Sequence, residues 1–131
     1  MTLSFSVYTN PPEDFNPGLQ AAGCVCEWED KILILQRSPH KFQGGKWAIP
    51  GGKMEGNETP RSCAIREIEE EAGLNIDADD LEMIGSIYCR LPDLDYIFHI
   101  FRKRFVTLPN IKIGIEEHTQ GDWFTVEEGL K

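Results

Sequence analysis

Basic residues are scarce in this chain. Its 131 residues hold 13 lysines and arginines against 22 aspartates and glutamates, which gives a formal net charge of −9. This surplus of negative charge argues against non-specific binding to a nucleic-acid backbone, so we expect no nucleic-acid polymer as a partner. A small phosphate-bearing ligand is compatible with the charge where a bound cation bridges carboxylate and phosphate groups.

Long apolar runs are also absent. No stretch approaches the roughly 20 apolar residues that a membrane-spanning helix needs. The first residues, from Met1 to Phe5, lack the basic region and the apolar core of a secretory signal. We therefore expect no membrane association and a cytoplasmic location.

Cysteine is sparse and is not spaced for a disulfide framework or a zinc site. The four cysteines lie within apolar segments, as buried free thiols of a reducing compartment do. Cys24 and Cys26 are spaced like neighbours on one face of a strand. No second pair or nearby histidine completes a tetrahedral zinc set.

The remaining pattern predicts one mixed domain. Residues 1–17 contain three prolines and read as an irregular arm, and residues 18–131 form the domain. Strands on both sides of one long helix indicate the α+β class. Apolar runs predict these strands, the first two as a hairpin: 20–28, 31–36, 47–49, 83–90, 96–105, 111–115 and 122–125.

The long helix has clear ends. Thr59 suits the N-cap, Pro60 the first helical position and Gly73 the left-handed residue that ends the helix. Residues 125–128 form a second capping box. It predicts a C-terminal helix that this sequence leaves incomplete.

Three glutamates share one face of the long helix. Glu67, Glu70 and Glu71 are related as i, i+3 and i+4, so their side chains meet. A solvated acidic face is the alternative interpretation. Two facts weigh against it: the glutamates adjoin the apolar stripe of the helix instead of opposing it, and Arg66 is the only basic residue among them.

This arrangement suits a hard divalent cation. Carboxylates on adjacent turns, together with backbone oxygens of the glycine turn at Gly51 and Gly52, form an oxygen-rich site for Mg²⁺ or Mn²⁺. Such an ion binds pyrophosphate oxygens and lowers the pKa of a bound water, whose proton a carboxylate can take. Arg66 can pair with a neighbouring carboxylate and keep it ionised and oriented.

The run Gly52-x5-Glu58-x7-Arg66-Glu67-Ile68-x-Glu70-Glu71-x-Gly73-Leu74 resembles the Nudix box and fits its pattern without a departure. Residues 33–38, 47–53 and 121–124 resemble the strands around that box, so the likeness covers about residues 20–128. It implies a Nudix fold, a mixed β-sheet sandwiched between α-helices. It also implies metal-dependent hydrolysis of a nucleoside diphosphate linked to another group, X.

The resemblance also implies roles for individual residues. Glu67 and Glu70 match catalytic and metal-binding glutamates, with Glu67 the candidate general base, and Arg66 matches the orienting arginine. Arg37 and Lys53 stand where family members often contact phosphate, with a plain surface role as the alternative. The remaining matches are metal ligands at Glu71 and the Gly51 carbonyl, and supporting positions at Gly52, Glu58 and Gly73.

One further carboxylate comes from outside the box. Glu117 lies six residues before Trp123, where MutT-like members place an extra catalytic and metal-binding carboxylate. The neighbouring Glu116 is the alternative.

The MutT-like subgroup indicates the substrate. Residues 47–55 resemble that subgroup, which acts on nucleoside triphosphates, including oxidised ones. We expect a (deoxy)nucleoside triphosphate as the small-molecule partner, cleaved to the monophosphate and pyrophosphate. Three alternatives remain open: hydrolysis of ADP-ribose or another sugar nucleotide, for which Pro92 is a weak indicator, hydrolysis of a dinucleoside polyphosphate, and nucleotide sensing without turnover.

Overall fold

The apolar segment that follows the N-terminal arm becomes the central strand of the protein. A computed structural model describes residues 6–40, 44–114 and 118–125. Within these ranges lie one α-helix, one short 3-10 turn at Ala78–Asp80 and eight strands. Their bounds are β1 Ser6–Tyr8, β2 Pro17–Trp28, β3 Lys31–Arg37, β4 Trp47–Ala48, β5 Gly51–Lys53, α1 Pro60–Ala72, β6 Glu82–Leu91, β7 Leu94–Phe105 and β8 His118–Thr125.

The predicted hairpin of β2 and β3 is confirmed. Trp28 pairs with Lys31 across a two-residue turn. Glu29 opens this turn with a φ of 55°, and the turns favoured in two-residue hairpins have a positive φ at this first position. A second hairpin joins β6 to β7, where Leu91 pairs with Leu94.

The eight strands form one mixed sheet, in the order β1-β6-β7-β2-β3-β4, with β5 also on β2 and β8 also on β3. Strand β2 runs parallel to β7 along its whole length. Its other edge is divided, because β3 pairs only with Glu27 and Trp28 and β5 pairs with the stretch from Ala21 to Gly23. One edge of β2 therefore pairs with two strands in succession, first with β5 and then, at its last two residues, with β3.

Helix α1 begins and ends as the sequence predicts. The Thr59 hydroxyl accepts the backbone N–H of Ser62 at 3.1 Å, and the Ser62 hydroxyl accepts the backbone N–H of Thr59 at 2.9 Å. These reciprocal bonds satisfy donors that a helix N-terminus otherwise leaves open. At the other end Gly73 has a φ of 69°, and its N–H donates to the Glu69 carbonyl at 3.0 Å.

The core lies between α1 and one face of the sheet. The helix contributes small apolar side chains, which allow a close approach of helix to strand. The fully buried core residues are Ala22, Cys24, Cys26, Leu33, Leu35, Cys63, Ala64, Ile68 and Ala72.

All four cysteines are free and buried, as expected. Cys24 and Cys26 lie on one face of β2 with their sulfurs 3.9 Å apart. The hydrogen-bonding contact with Cys24, and then burial, raise the pKa of the Cys26 thiol far above its usual value. This thiol therefore stays protonated and unreactive.

The strand predicted for residues 111–115 is wrong over 111–114, the part that the structure describes. Two backbone donors of this segment bind the end of α1 instead. The Lys112 N–H donates to the Ala72 carbonyl at 2.8 Å, and the Gly114 N–H donates to the Glu71 carbonyl at 3.0 Å. The segment thus satisfies carbonyls that have no partner within the helix.

The N-terminal arm is not irregular throughout, which corrects the prediction for residues 1–17. Strand β1 pairs with β6, with Val7 opposite Cys89, and Asp14 lies 3.2 Å from Arg90.

The mixed sheet and the α+β class are confirmed, with a single α-helix against the sheet in the described ranges. Thr125, the predicted N-cap of a C-terminal helix, is the last residue of β8, and the helix predicted after it lies outside the described residues. No helix in the described part of the chain is long and apolar enough to cross a membrane.

Candidate metal and catalytic site

Strand β5 brings two glycines against the acidic face of α1. The Gly51 N–H donates to Glu71 Oε1 at 2.7 Å. At Gly52, a Cβ would lie 2.5 Å from Oε1 and 2.8 Å from Oε2 of Glu67. Any side chain at position 52 would displace the Glu67 carboxylate, which accounts for glycine at this position.

Arg66 connects the glutamates that the sequence grouped together. Its Nε and Nη2 donate to the two oxygens of Glu58 at 2.7 Å and 3.0 Å. Its Nη1 lies 3.0 Å from Glu67 Oε1 and 3.2 Å from Glu70 Oε2. The fixed fork of a guanidinium allows one side chain to reach three carboxylates.

These contacts keep the Glu58 carboxylate ionised. The hydrogen bond from Arg66 is the main cause that lowers the pKa of Glu58, and the backbone N–H of Glu55 adds to it. The same bond to Glu58 raises the pKa of Arg66. Glu58 is therefore a permanently charged support for Arg66 at neutral pH.

The three helix glutamates differ in burial. Glu67 and Glu71 are 6% and 2% exposed, whereas the side chain of Glu70 is 54% exposed. Buried carboxylates need compensating partners. Glu67 has Arg66, and Glu71 has the Gly51 N–H. Glu67 and Glu71 therefore face β5, here called the glycine strand because it contains Gly51 and Gly52, and Glu70 lies at the solvent-exposed edge of the glutamate cluster.

The other predicted site residues differ in how they relate to this cluster. The Lys53 carbonyl accepts Arg66 Nη2 at 3.1 Å, while the Lys53 side chain is exposed. Arg37 ends β3 and is paired in register with His118 of β8. Gly73 ends the helix that carries the glutamates. Glu117, like Glu116, lies outside the described residues.

The sequence analysis missed His118. Its Nε2 lies 3.1 Å from Glu71 Oε2, and the residue is 4% exposed. The sequence offered one signal for a role of His118, its position next to the predicted site residue Glu117. The local sequence pattern does not reveal the contact between β8 and α1.

Cys63 also contacts the site. Its thiol donates to the Gly52 carbonyl at 3.5 Å. Burial is the main cause that raises its pKa to about 11. The residue is therefore a neutral thiol that packs behind the glycine strand, consistent with a packing role.

The donors present here fit a hard divalent cation. They are carboxylate oxygens of one helix and backbone oxygens of a glycine strand, and the absence of a Cβ at Gly52 brings Glu67 directly onto that strand. In residues 6–40, 44–114 and 118–125, no three histidine, cysteine, aspartate or glutamate side chains converge on one point. The carboxylates form a row along α1 instead.

Comparison with known proteins identifies the family. A sequence profile of the NUDIX domain matches residues 18–131. The chain is 38% identical over 88 residues to an 8-oxo-dGTP diphosphatase of Proteus vulgaris, covering 67% of this chain and 68% of that protein. It is 28% identical over 131 residues to mouse diphosphoinositol polyphosphate phosphohydrolase 3-alpha, covering 94% of this chain and 72% of that protein.

The fold agrees with this match. A MutT NUDIX hydrolase from Burkholderia pseudomallei superimposes with a TM-score of 0.73 at 18% sequence identity, covering 84% of each chain. The hydrolases of this family generally depend on a divalent cation, and a similar solved structure carries a manganese ion. The chain therefore belongs to the NUDIX family and is a Nudix hydrolase.

Proposed function

We propose that this protein is a metal-dependent nucleoside triphosphate pyrophosphohydrolase. It adds water to a (deoxy)nucleoside triphosphate and releases the monophosphate and pyrophosphate. The observation that carries the proposal is the cluster in which Arg66 joins Glu58, Glu67 and Glu70 directly beside the glycine strand.

Each residue of the cluster has a distinct task in this proposal. Glu67, Glu70, Glu71 and the Gly51 carbonyl hold Mg²⁺ or Mn²⁺, with Glu117 as an added ligand. The bound ion supplies positive charge to the pyrophosphate oxygens and acidifies water. Glu67, held by Arg66 at 3.0 Å, takes the proton from the attacking water. Arg66 joins the carboxylates of Glu58, Glu67 and Glu70 and keeps them aligned, which preserves the reacting geometry.

Two considerations favour a nucleoside triphosphate among possible substrates. The 8-oxo-dGTP diphosphatase shares 38% identity over 88 residues with this chain, and residues 47–55 resemble the MutT-like subgroup. The charge of −9 disfavours a polyphosphorylated inositol, the substrate class of the mouse relative. Such a ligand needs many arginine and lysine contacts, whereas the phosphate contacts that we expect here come from Arg37 and Lys53.

We also propose a cytoplasmic location. It is supported by four free buried thiols, which are typical of proteins from a reducing compartment.

A substrate panel tests the proposed reaction. The protein is incubated with nucleoside triphosphates, 8-oxo-dGTP, ADP-ribose, a dinucleoside polyphosphate and a diphosphoinositol polyphosphate, with and without Mg²⁺ or Mn²⁺. Chromatography identifies the products. We expect monophosphate and pyrophosphate from a triphosphate, and only with the metal. Faster cleavage of another panel member would replace the proposed substrate, and tight binding without any product would favour nucleotide sensing.

Variants of the helix glutamates test the site itself. Glu70→Gln and Glu71→Gln should each lower kcat by several decades, since each removes a charged oxygen ligand. Glu69→Gln is the matched control, because it removes the same charge from an exposed position of the same helix. Near-normal rates for both site variants would overturn the assignment.

A further inference from the structure

His118 is a buried polar residue to which the proposed reaction gives no task. It lies at the start of β8, far in sequence from α1, yet its Nε2 is 3.1 Å from Glu71 Oε2. The other oxygen of the same carboxylate accepts the Gly51 N–H at 2.7 Å. Glu71 is therefore held from two sides, by β5 and by β8.

A β-bulge directs His118 toward the helix. In the ladder between β3 and β8, Leu35 pairs with Gly121 and Gln36 with Gln120, but Arg37 pairs with His118. Thr119 is the extra residue. Because side chains alternate along a strand, strict alternation from Gly121 would turn residue 119, not residue 118, to the core. Bulges re-aim side chains in this way.

The segment before β8 also holds His118 close to Glu71. The Gly114 N–H donates to the Glu71 carbonyl at 3.0 Å, and the Gly114 carbonyl accepts the His118 N–H at 3.2 Å. A Cβ at Gly114 would collide with the carbonyl of Glu70. The backbone of Gly114 thus links His118 to the residue whose side chain it contacts.

We infer that His118 is a positioning residue, which orients the Glu71 carboxylate for the divalent cation through its Nε2 contact. This inference rests on the proposed function, since it assigns His118 a task toward a proposed metal ligand. Groups that orient a metal ligand commonly contribute 10- to 100-fold in metal affinity. Burial of both side chains, at 4% and 2% exposure, strengthens the contact by excluding water.

The test measures Mn²⁺ binding by electron paramagnetic resonance, without nucleotide. A glutamine amide nitrogen can take the position of Nε2, whereas an asparagine amide nitrogen reaches only that of Nδ1. His118→Asn and His118→Leu should weaken Mn²⁺ binding about 10- to 100-fold, and His118→Gln should remain within a few-fold of the natural protein. Thr119→Ala, an exposed neighbour on β8, is the control. Thermal unfolding checks that each variant is folded.

The outcomes separate this inference from the proposed function. Unchanged Mn²⁺ binding in His118→Asn overturns the inference, as does an equal loss in the Gln and Asn variants, which would indicate a packing role. In a Glu71→Gln background, His118→Asn should cause no additional loss. If the natural protein itself binds no Mn²⁺, the proposed function fails first.

Discussion

Replacing Gly52 with alanine tests whether strand β5 sets the position of the Glu67 carboxylate, the proposed general base. The new Cβ would lie 2.5 Å from Glu67 Oε1 and 2.6 Å from its Cδ. Ordinary carbon–oxygen contacts are about 3.4 Å, so the carboxylate must move by about 1 Å. Gly52 does not have a positive φ, so alanine causes no backbone strain at this position.

The expected effect follows from that displacement. Glu67 is buried and held by Arg66 at 3.0 Å, so a shift of its carboxylate disturbs the contact that aligns it. A misplacement of about 1 Å costs about 100-fold in rate, which corresponds to about 2.7 kcal/mol in the activation free energy. We therefore expect Gly52→Ala to fold normally and to lose about 100-fold in kcat.

Steady-state kinetics with the best substrate of the panel provides the assay. Gly18→Ala is the matched control, because a Cβ at this strand glycine would meet the Leu94 side chain at 3.1 Å and the Asp95 carbonyl at 3.9 Å, and no residue of the site. Gly52→Ala should have no further effect in a Glu67→Gln background, since both changes act through one carboxylate. A normal kcat in Gly52→Ala, or full additivity with Glu67→Gln, would refute this reasoning.

Three further predictions concern other contacts. Arg66→Lys should lower the free energy of unfolding in urea by about 1–3 kcal/mol and reduce kcat, because one ammonium group cannot keep the paired contact with Glu58; unchanged values would argue against Arg66 as the connecting residue. Ile68→Ala should lower the unfolding free energy by about 2–5 kcal/mol, since Ile68 is fully buried, whereas Ile84→Ala, 53% exposed, should change it by less than about 0.5 kcal/mol. The hydrogen bond from Arg90 is the main cause that lowers the pKa of Asp95 to about 2. The Asp95 carboxylate therefore stabilises the fold at pH values above its unfolded pKa of about 3.9, and this stabilisation is lost as the pH falls to about 2. The Tm difference between the natural protein and Asp95→Asn should shrink over that range, and a constant difference would contradict the role of this ion pair.

The parts of the fold that the sequence predicted depend on local signals. Thr59, Pro60 and Gly73 mark the ends of α1 through backbone bonds that span only a few residues. The hairpin of β2 and β3 follows from two apolar runs and a two-residue turn. Such patterns are readable because their hydrogen bonds stay within one segment.

The segment 111–114 was predicted wrongly for the opposite reason. Its alternating Ile111 and Ile113 resemble a strand, and both pack against the core as a strand would require. The backbone donors of the segment, however, bind carbonyls at the end of α1. Propensity cannot reveal that competing partner, because it lies about forty residues away in the sequence.

The candidate site shows the same division. The spacing of Glu67, Glu70 and Glu71 predicts that they share a helix face, which the structure has. Their unequal burial depends on how closely β5 approaches α1, and the contact of Glu71 with His118 depends on a bulge in a distant strand. Neither property is encoded in the helix sequence itself.

The attachment of residues 111–114 to the last turn of α1 has a consequence for local unfolding. If that turn frays, the amides of Lys112 and Gly114 lose their acceptors at the same moment, and the start of β8 loses its anchor. The last turn of α1 and the start of β8 therefore open as one cooperative unit. A substitution that loosens either one weakens protection from hydrogen exchange in both.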